Sequence, residues 1–119
     1  MIQIYGRKKC SATRKAVRFF SERRVEVQSI DLDQKTPGKR EMELFIQVAG
    51  AEVLIDQNSK TYRSRGLEYM EFDPVDKLNE DPGLLRTPIV RAGRTIVVGE
   101  DEAGWRGVAD EASADKAPV

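Results

Sequence analysis

The segment Ile2 to Leu32 switches hydrophobic period twice, and that switch restricts the fold more than any other feature of the chain. Ile2 to Tyr5 is short, alternating and β-prone, and Gly6 breaks it. From Ser11 to about Arg23, the apolar residues Ala12, Ala16, Val17, Phe19 and Phe20 recur at helical spacing, with Arg14, Lys15, Arg18 and Arg24 largely on the other side. Val25 to Leu32, "VEVQSIDL", alternates again and reads as a second strand. Strand, helix and strand in this order close as a parallel pair with a right-handed crossover.

The rest of the chain must build on that unit. "KTPG", Lys35 to Gly38, is a loop, followed by a helix from about Lys39 to Val48, apolar at Met42, Leu44, Phe45 and Val48 and ended by Gly50. Asp56 to Leu67 is polar and turn-rich, with room for one short helix. Asp73 and Pro74 form an N-cap and N1 pair for a helix to about Asn79. Ile89 to Arg91 and Thr95 to Val98 are short strands joined at Ala92-Gly93 as a hairpin. Glu100, Asp101 and Glu102 place negative charge at the start of a last helix, where the dipole favours it. From Ala109 the composition turns to Ala, Asp, Ser and Pro, which predicts a domain over residues 1–108 and a frayed, flexible C-terminal tail over 109–119. The order is β-α-β, a helical insertion, then β-β-α. That is the thioredoxin arrangement, an α/β fold with a mixed sheet and helices on both faces.

Several chemistries are excluded by what the chain lacks. It has no histidine, so Ser-His-Asp and Cys-His catalysis and histidine-ligated metal sites are out. One cysteine cannot build a zinc or iron–sulfur centre within one chain, nor an internal disulfide, and no metal or bound cofactor is expected. No phosphate-binding glycine motif appears. The 20 basic and 20 acidic side chains cancel, giving no global field for direct nucleic-acid or membrane contact. No stretch approaches the roughly 18 apolar residues of a membrane span. The strand pattern begins at Ile2, leaving no room for a signal peptide, so the expected location is cytoplasmic.

By elimination, covalent chemistry falls to Cys10. Two readings stand beside each other: a reactive thiolate, or a small buried apolar residue. Unpaired amides at a helix start, from Ser11 to Thr13, stabilise negative charge on sulfur, and Arg7, Lys8, Lys9 and Arg14 add positive charge nearby. Polar neighbours and Gly6 make a poor core environment and favour the thiolate.

Three stretches resemble the arsenate reductase-like (ArsC/Spx) family of thioredoxin folds. They are "IYGRKKCSATRKA", the all-helical block between the second strand and the hairpin, and "EDPGLLRTPIVRAGRTIVVGEDEA", which is similar to that family's segment around its conserved-type Leu-Leu-x-Arg-Pro-Ile run. The likeness spans roughly residues 1 to 108. It implies that Cys10 is the nucleophile, with Arg14 assisting electrostatically. It also places Arg86, Thr87 and a cis Pro88 opposite the sulfur as the substrate-binding segment. Gly99 and Asp101 stand where glutaredoxins hold the amino end of glutathione, although an acidic helix start is first of all a cap.

The resemblance also marks departures. Arsenate reductases of this type use three arginines around the oxyanion; here those places fall near Asp56-Gln57-Asn58, at Thr87 and at Val97 or Val98. Arg86 and Arg94 lie close by, and a one-residue displacement in a strand points a side chain to the opposite face. Spx-type regulators often carry Cys-x-x-Cys, and Thr13 occupies the second position here, so no internal disulfide switch exists.

Two functions remain in view. One is a single-cysteine, thiol-dependent oxidoreductase forming a mixed disulfide at Cys10 with a small thiol or oxyanion substrate, with glutathione as co-substrate or glutaredoxin as partner. The other is a regulator that binds RNA polymerase without catalysis. A monomer is expected in either case.

Overall fold

β1 (Ile2–Gly6) and β2 (Val27–Asp31) pair in parallel in register Ile2 with Val27 through Gly6 with Asp31, joined by α1 (Ser11–Glu22). This is the β-α-β unit that the change of period requires. The computed structural model describes the backbone of residues 1–115 and the side chains of residues 1–112. The hairpin of β3 (Ile89–Ala92) and β4 (Thr95–Val98) lays β3 antiparallel against β1, giving the strand order β2-β1-β3-β4. The hairpin turn is Gly93-Arg94, one residue later than Ala92-Gly93, because Ala92 pairs with Thr95. Gly93 has φ +60°, which a glycine supplies without a Cβ penalty at the first position of a two-residue turn.

Helices cover both faces of the mixed sheet, so the fold is α/β and thioredoxin-like. On one face α1 and α6 (Glu102–Asp115) bury Ile2, Ile4, Val90 and Val97 beneath Ala16, Phe19, Phe20, Trp105, Val108 and Ala109. Phe19 stands edge-on to Phe20 at 5.3 Å between ring centres and tilted to Trp105 at 5.7 Å, so these aromatics are core packing. On the other face Tyr5 and Ile89 are covered by Met42 and Phe45 of α2 (Lys39–Ala49) and by the insertion.

The insertion contains α3 (Ala51–Leu54), α4 (Lys60–Ser64) and α5 (Pro74–Glu80), with single 3-10 turns at Leu67–Tyr69 and Pro82–Leu84. Of these, α3 has no sequence signal of its own. Asp73 caps α5 as its position before Pro74 predicts, accepting hydrogen bonds from the amides of Val75 and Asp76. At α2 the cap is shared: Glu41 reaches back to the amide of Gly38 at 3.0 Å.

Ala109 does not begin a tail. α6 continues to Asp115, and Val108 and Ala109 are buried against the sheet while Ala112 packs beside them. The Ala-rich composition is a good helix former once one face has a core to meet. The remainder of the expected tail, residues 116–119, lies outside the described residues. Val17, read as part of the apolar face of α1, is instead 36% exposed. Among the described residues, no helix is long and apolar enough to cross a membrane.

Candidate active site at the start of the first helix

Cys10 is the N-cap of α1, in extended backbone conformation (φ −84°, ψ 115°). Its amide donates to the carbonyl of Arg7 at 3.0 Å, closing a tight turn after β1, and its carbonyl accepts from the amide of Arg14 at 3.2 Å. The sulfur is therefore held where the first amides of the helix point. It is partly buried rather than sealed in the core.

The segment facing it comes from the other half of the molecule. The thiol donates toward the carbonyl oxygen of Thr87 at 3.7 Å, and the Thr87–Pro88 peptide is cis. Pro88 itself is fully buried, and its carbonyl accepts from the amide of Gly99 at 2.8 Å. Thr87 meets the sulfur through its carbonyl. Among the described residues the Thr87 amide makes no backbone hydrogen bond.

Burial is the largest single influence on the thiol and opposes its ionisation. Hydrogen bonds outweigh it: the side chains of Thr13 and Thr87 and the amides of Thr13 and Ala12 together hold Cys10 below its ordinary value of 9.0. The positive charges of the loop are not what does this. Arg14 is exposed and folds back to donate to the carbonyl of Lys8 at 2.7 Å, so it fastens the cysteine loop instead of facing the sulfur.

Arg86 is likewise engaged elsewhere. Its guanidinium donates to the carbonyls of Val53 at 3.1 Å and Ile55 at 3.2 Å, satisfying the open C-terminal end of α3. Its amide donates to the carbonyl of Leu54 at 2.7 Å, and an antiparallel bridge pairs Ile55 with Leu85. Arg94 lies at the hairpin, its guanidinium 3.5 Å from Gln47.

Asp101 accepts from the amide of Gly104 at 2.9 Å, the capping role that its place before α6 predicts. Gly99 lies against the Arg86 stem: a Cβ there would come within 3.1 Å of Arg86 Cδ. Lys15 and Glu100 form an ion pair at 3.0 Å, which ties α1 to the turn before α6.

Sequence reasoning missed the role of Arg7. Its guanidinium donates to the carbonyl of Leu85 at 2.9 Å and to that of Pro82 at 3.1 Å, and its Nε lies 3.5 Å from Asp33. The side chain is only 20% exposed. It binds the cysteine loop to the segment that leads into Thr87. A second missed contact sits on the other face, where the buried Tyr5 hydroxyl donates to the carboxylate of Glu41. Burial first, and the bond to Glu41 next, push the Tyr5 phenol up to about 12, with Arg91 partly opposing.

The site is a lone sulfur with amides beneath it, two threonines beside it and a Thr87 amide that makes no backbone hydrogen bond among the described residues. Comparison with known proteins shows the family of the chain. The global transcriptional regulator Spx of Enterococcus faecalis is 25% identical over 107 residues, covering 86% of this chain and 81% of that one. A Haemophilus influenzae protein is 26% identical over 119 residues, covering 89% of this chain and 96% of its own. The arsenate reductase of Vibrio cholerae superposes with a TM-score of 0.75 at 18% identity, over 90% of this chain and 96% of that structure. The ArsC family model matches residues 5–108, which carry the sulfur, the helical insertion and the Thr87–Pro88 segment together; this chain belongs to the ArsC family.

Proposed function

We propose that the protein is a thiol-dependent oxidoreductase that works through mixed disulfides at Cys10, acting in the cytoplasm on a small thiol-derived substrate. The observation that carries this reading is the placement of Cys10 at the start of α1, with threonine and amide donors lowering its pKa and Thr87 facing it. The Cys10 thiolate attacks one sulfur of a substrate disulfide, forming a new sulfur–sulfur bond and expelling the other sulfur as a thiolate that takes a proton from solvent. A second thiolate, from glutathione or a glutaredoxin, then attacks the substrate-side sulfur, releasing Cys10 as thiolate and forming an external mixed disulfide. A further thiol cleaves that bond, freeing the substrate half as a thiol and leaving the two external thiols joined as a disulfide. Two electrons pass from the external thiols to the substrate, and the protein is unchanged.

The Thr87 amide, without a backbone partner among the described residues, gives an incoming backbone a place to pair beside the reacting sulfurs. Gly99 and Asp101 would meet the amino end of glutathione. Arsenate is the less favoured substrate, because Arg86 is committed to the end of α3 and the places of the family's other arginines hold Thr87 and Val97 or Val98. The likeness to Spx supports a second reading, a regulator that docks on RNA polymerase.

The deciding experiment follows intact mass after mild oxidation with glutathione disulfide, then measures glutathione-coupled reduction of a small mixed disulfide and of arsenate. An adduct of one glutathione on wild type but not on Cys10→Ser, with turnover of the disulfide, supports the enzyme. No adduct, or equal turnover by both proteins, overturns it and leaves the regulator ahead. Enrichment of RNA polymerase in a pull-down would then be its test.

A further inference from the structure

Beside the candidate active site, a groove of about 570 Å³ opens between α1 and β2; it shares Arg7 and Thr13 with that site, and Cys10 itself does not line it. Its apolar floor includes Ile4 and the exposed Val17, and its helical wall carries Arg14 and Arg18, one turn apart. Lys8 stands at the end nearest Cys10, and Asp31 is the one acid in the lining. Among the described residues, neither Lys8 nor Arg18 takes part in an ion pair.

The opposite wall is an open sheet edge. β2 is the outermost strand and pairs with β1 only; none of its residues is buried, and Gln28 and Ser29 are exposed. It has neither Lys nor Pro to blunt pairing. An unpaired edge beside a cationic, apolar-floored trough is the requirement for strand addition with charge selection.

We infer that this groove binds an acidic, extended segment of a partner protein, added as a fifth strand along β2 with alternate carboxylates facing Arg14 and Arg18. The spacing agrees. Residues i and i+4 on a helix lie about 6 Å apart along the axis, and residues i and i+2 of a strand about 6.7 Å. An acidic residue at every second position therefore matches both arginines at once, and the residues between them point to the opposite face of the sheet.

The experiment uses full-length Cys10→Ser protein, so no mixed disulfide contributes and failure here leaves the thiol chemistry untouched. A fluorescein-labelled Val-Glu-Val-Glu-Val-Glu peptide is titrated by fluorescence anisotropy, beside its Val-Lys counterpart, an alternately N-methylated version and a labelled oligo-dT. Amide exchange of Val27 to Asp31 is followed in parallel. The expected result is binding of the acidic peptide alone, slower exchange in β2, and at least about a tenfold weaker affinity for Arg18→Glu. Arg14→Glu adds to this loss. Circular dichroism confirms that each variant is folded. No binding, undiminished binding of the N-methylated peptide, unchanged exchange in β2, or preference for oligo-dT overturns the inference.

Discussion

Arg7 and Leu85 are 78 positions apart in sequence, yet the Arg7 guanidinium donates to the Leu85 carbonyl at 2.9 Å and so fixes the distance between the two halves of the site. The same group holds Pro82 at 3.1 Å, and both carbonyls lie just upstream of Thr87. One planar fork can satisfy two carbonyls; a single ammonium cannot reproduce that geometry.

Arg7→Ala is therefore expected to lower stability by about 2–3 kcal/mol, the cost of losing charge-assisted bonds to partly buried carbonyls. Arg7→Lys should recover less than half of it. Urea unfolding measures the loss, and the rate of Cys10 alkylation reports whether the facing segment has moved. Full stability in Arg7→Ala would show that the clamp is not holding the halves together.

Thr13→Val removes a hydroxyl from Cys10 at almost constant volume. The thiol midpoint, read by thiolate absorbance, should rise toward 9.0. Because the folded value is lowered, the thiolate's contribution to stability is complete above the unfolded value of 9.0 and is lost as pH falls through the folded value. The stability gap between wild type and Cys10→Ser should accordingly widen in favour of wild type up to pH 9.0 and narrow in Thr13→Val.

Gly6 lies directly under the helix start: a Cβ there would stand 2.3 Å from Thr13 Cγ2 and 2.6 Å from Thr13 Oγ1. Gly6→Ala should cost about 1–3 kcal/mol by overpacking. It should also raise the Cys10 midpoint, since Thr13 must shift. A thermal melt and the absorbance titration test the two effects on one sample.

Tyr5 predicts alkaline sensitivity. Its folded value of about 12 stands above the ordinary 10.0, so the neutral phenol's stabilisation is complete below 10.0 and is lost as pH rises through about 12. Stability should fall by about 3 kcal/mol across that interval. Tyr5→Phe should be less stable at neutral pH and flatter above pH 10.0. Parallel pH profiles for the two proteins would contradict this.

The strands and long helices were legible because each buries one side, which leaves a period in the sequence. Ile4, Phe19, Phe20 and Phe45 repeat at the spacing of their elements and are buried. Cys10 was legible by elimination and by its place before a helical run. Arg7 and Arg86 were not, because their targets are main-chain carbonyls, and a carbonyl has no residue identity to read. The loop charges near Cys10 suggested electrostatic activation, whereas hydroxyls and amides supply it; charge counts say nothing of where a guanidinium points. The end of α6 was missed because alanine, aspartate and serine look like tail composition until Val108 and Ala109 are seen against the sheet.

The bonds from Arg86 to Val53 and Ile55, with the Ile55–Leu85 bridge, join the helical insertion to the segment that leads into Thr87. The position of the insertion and that of the residue facing the sulfur are therefore tied by main-chain and guanidinium contacts.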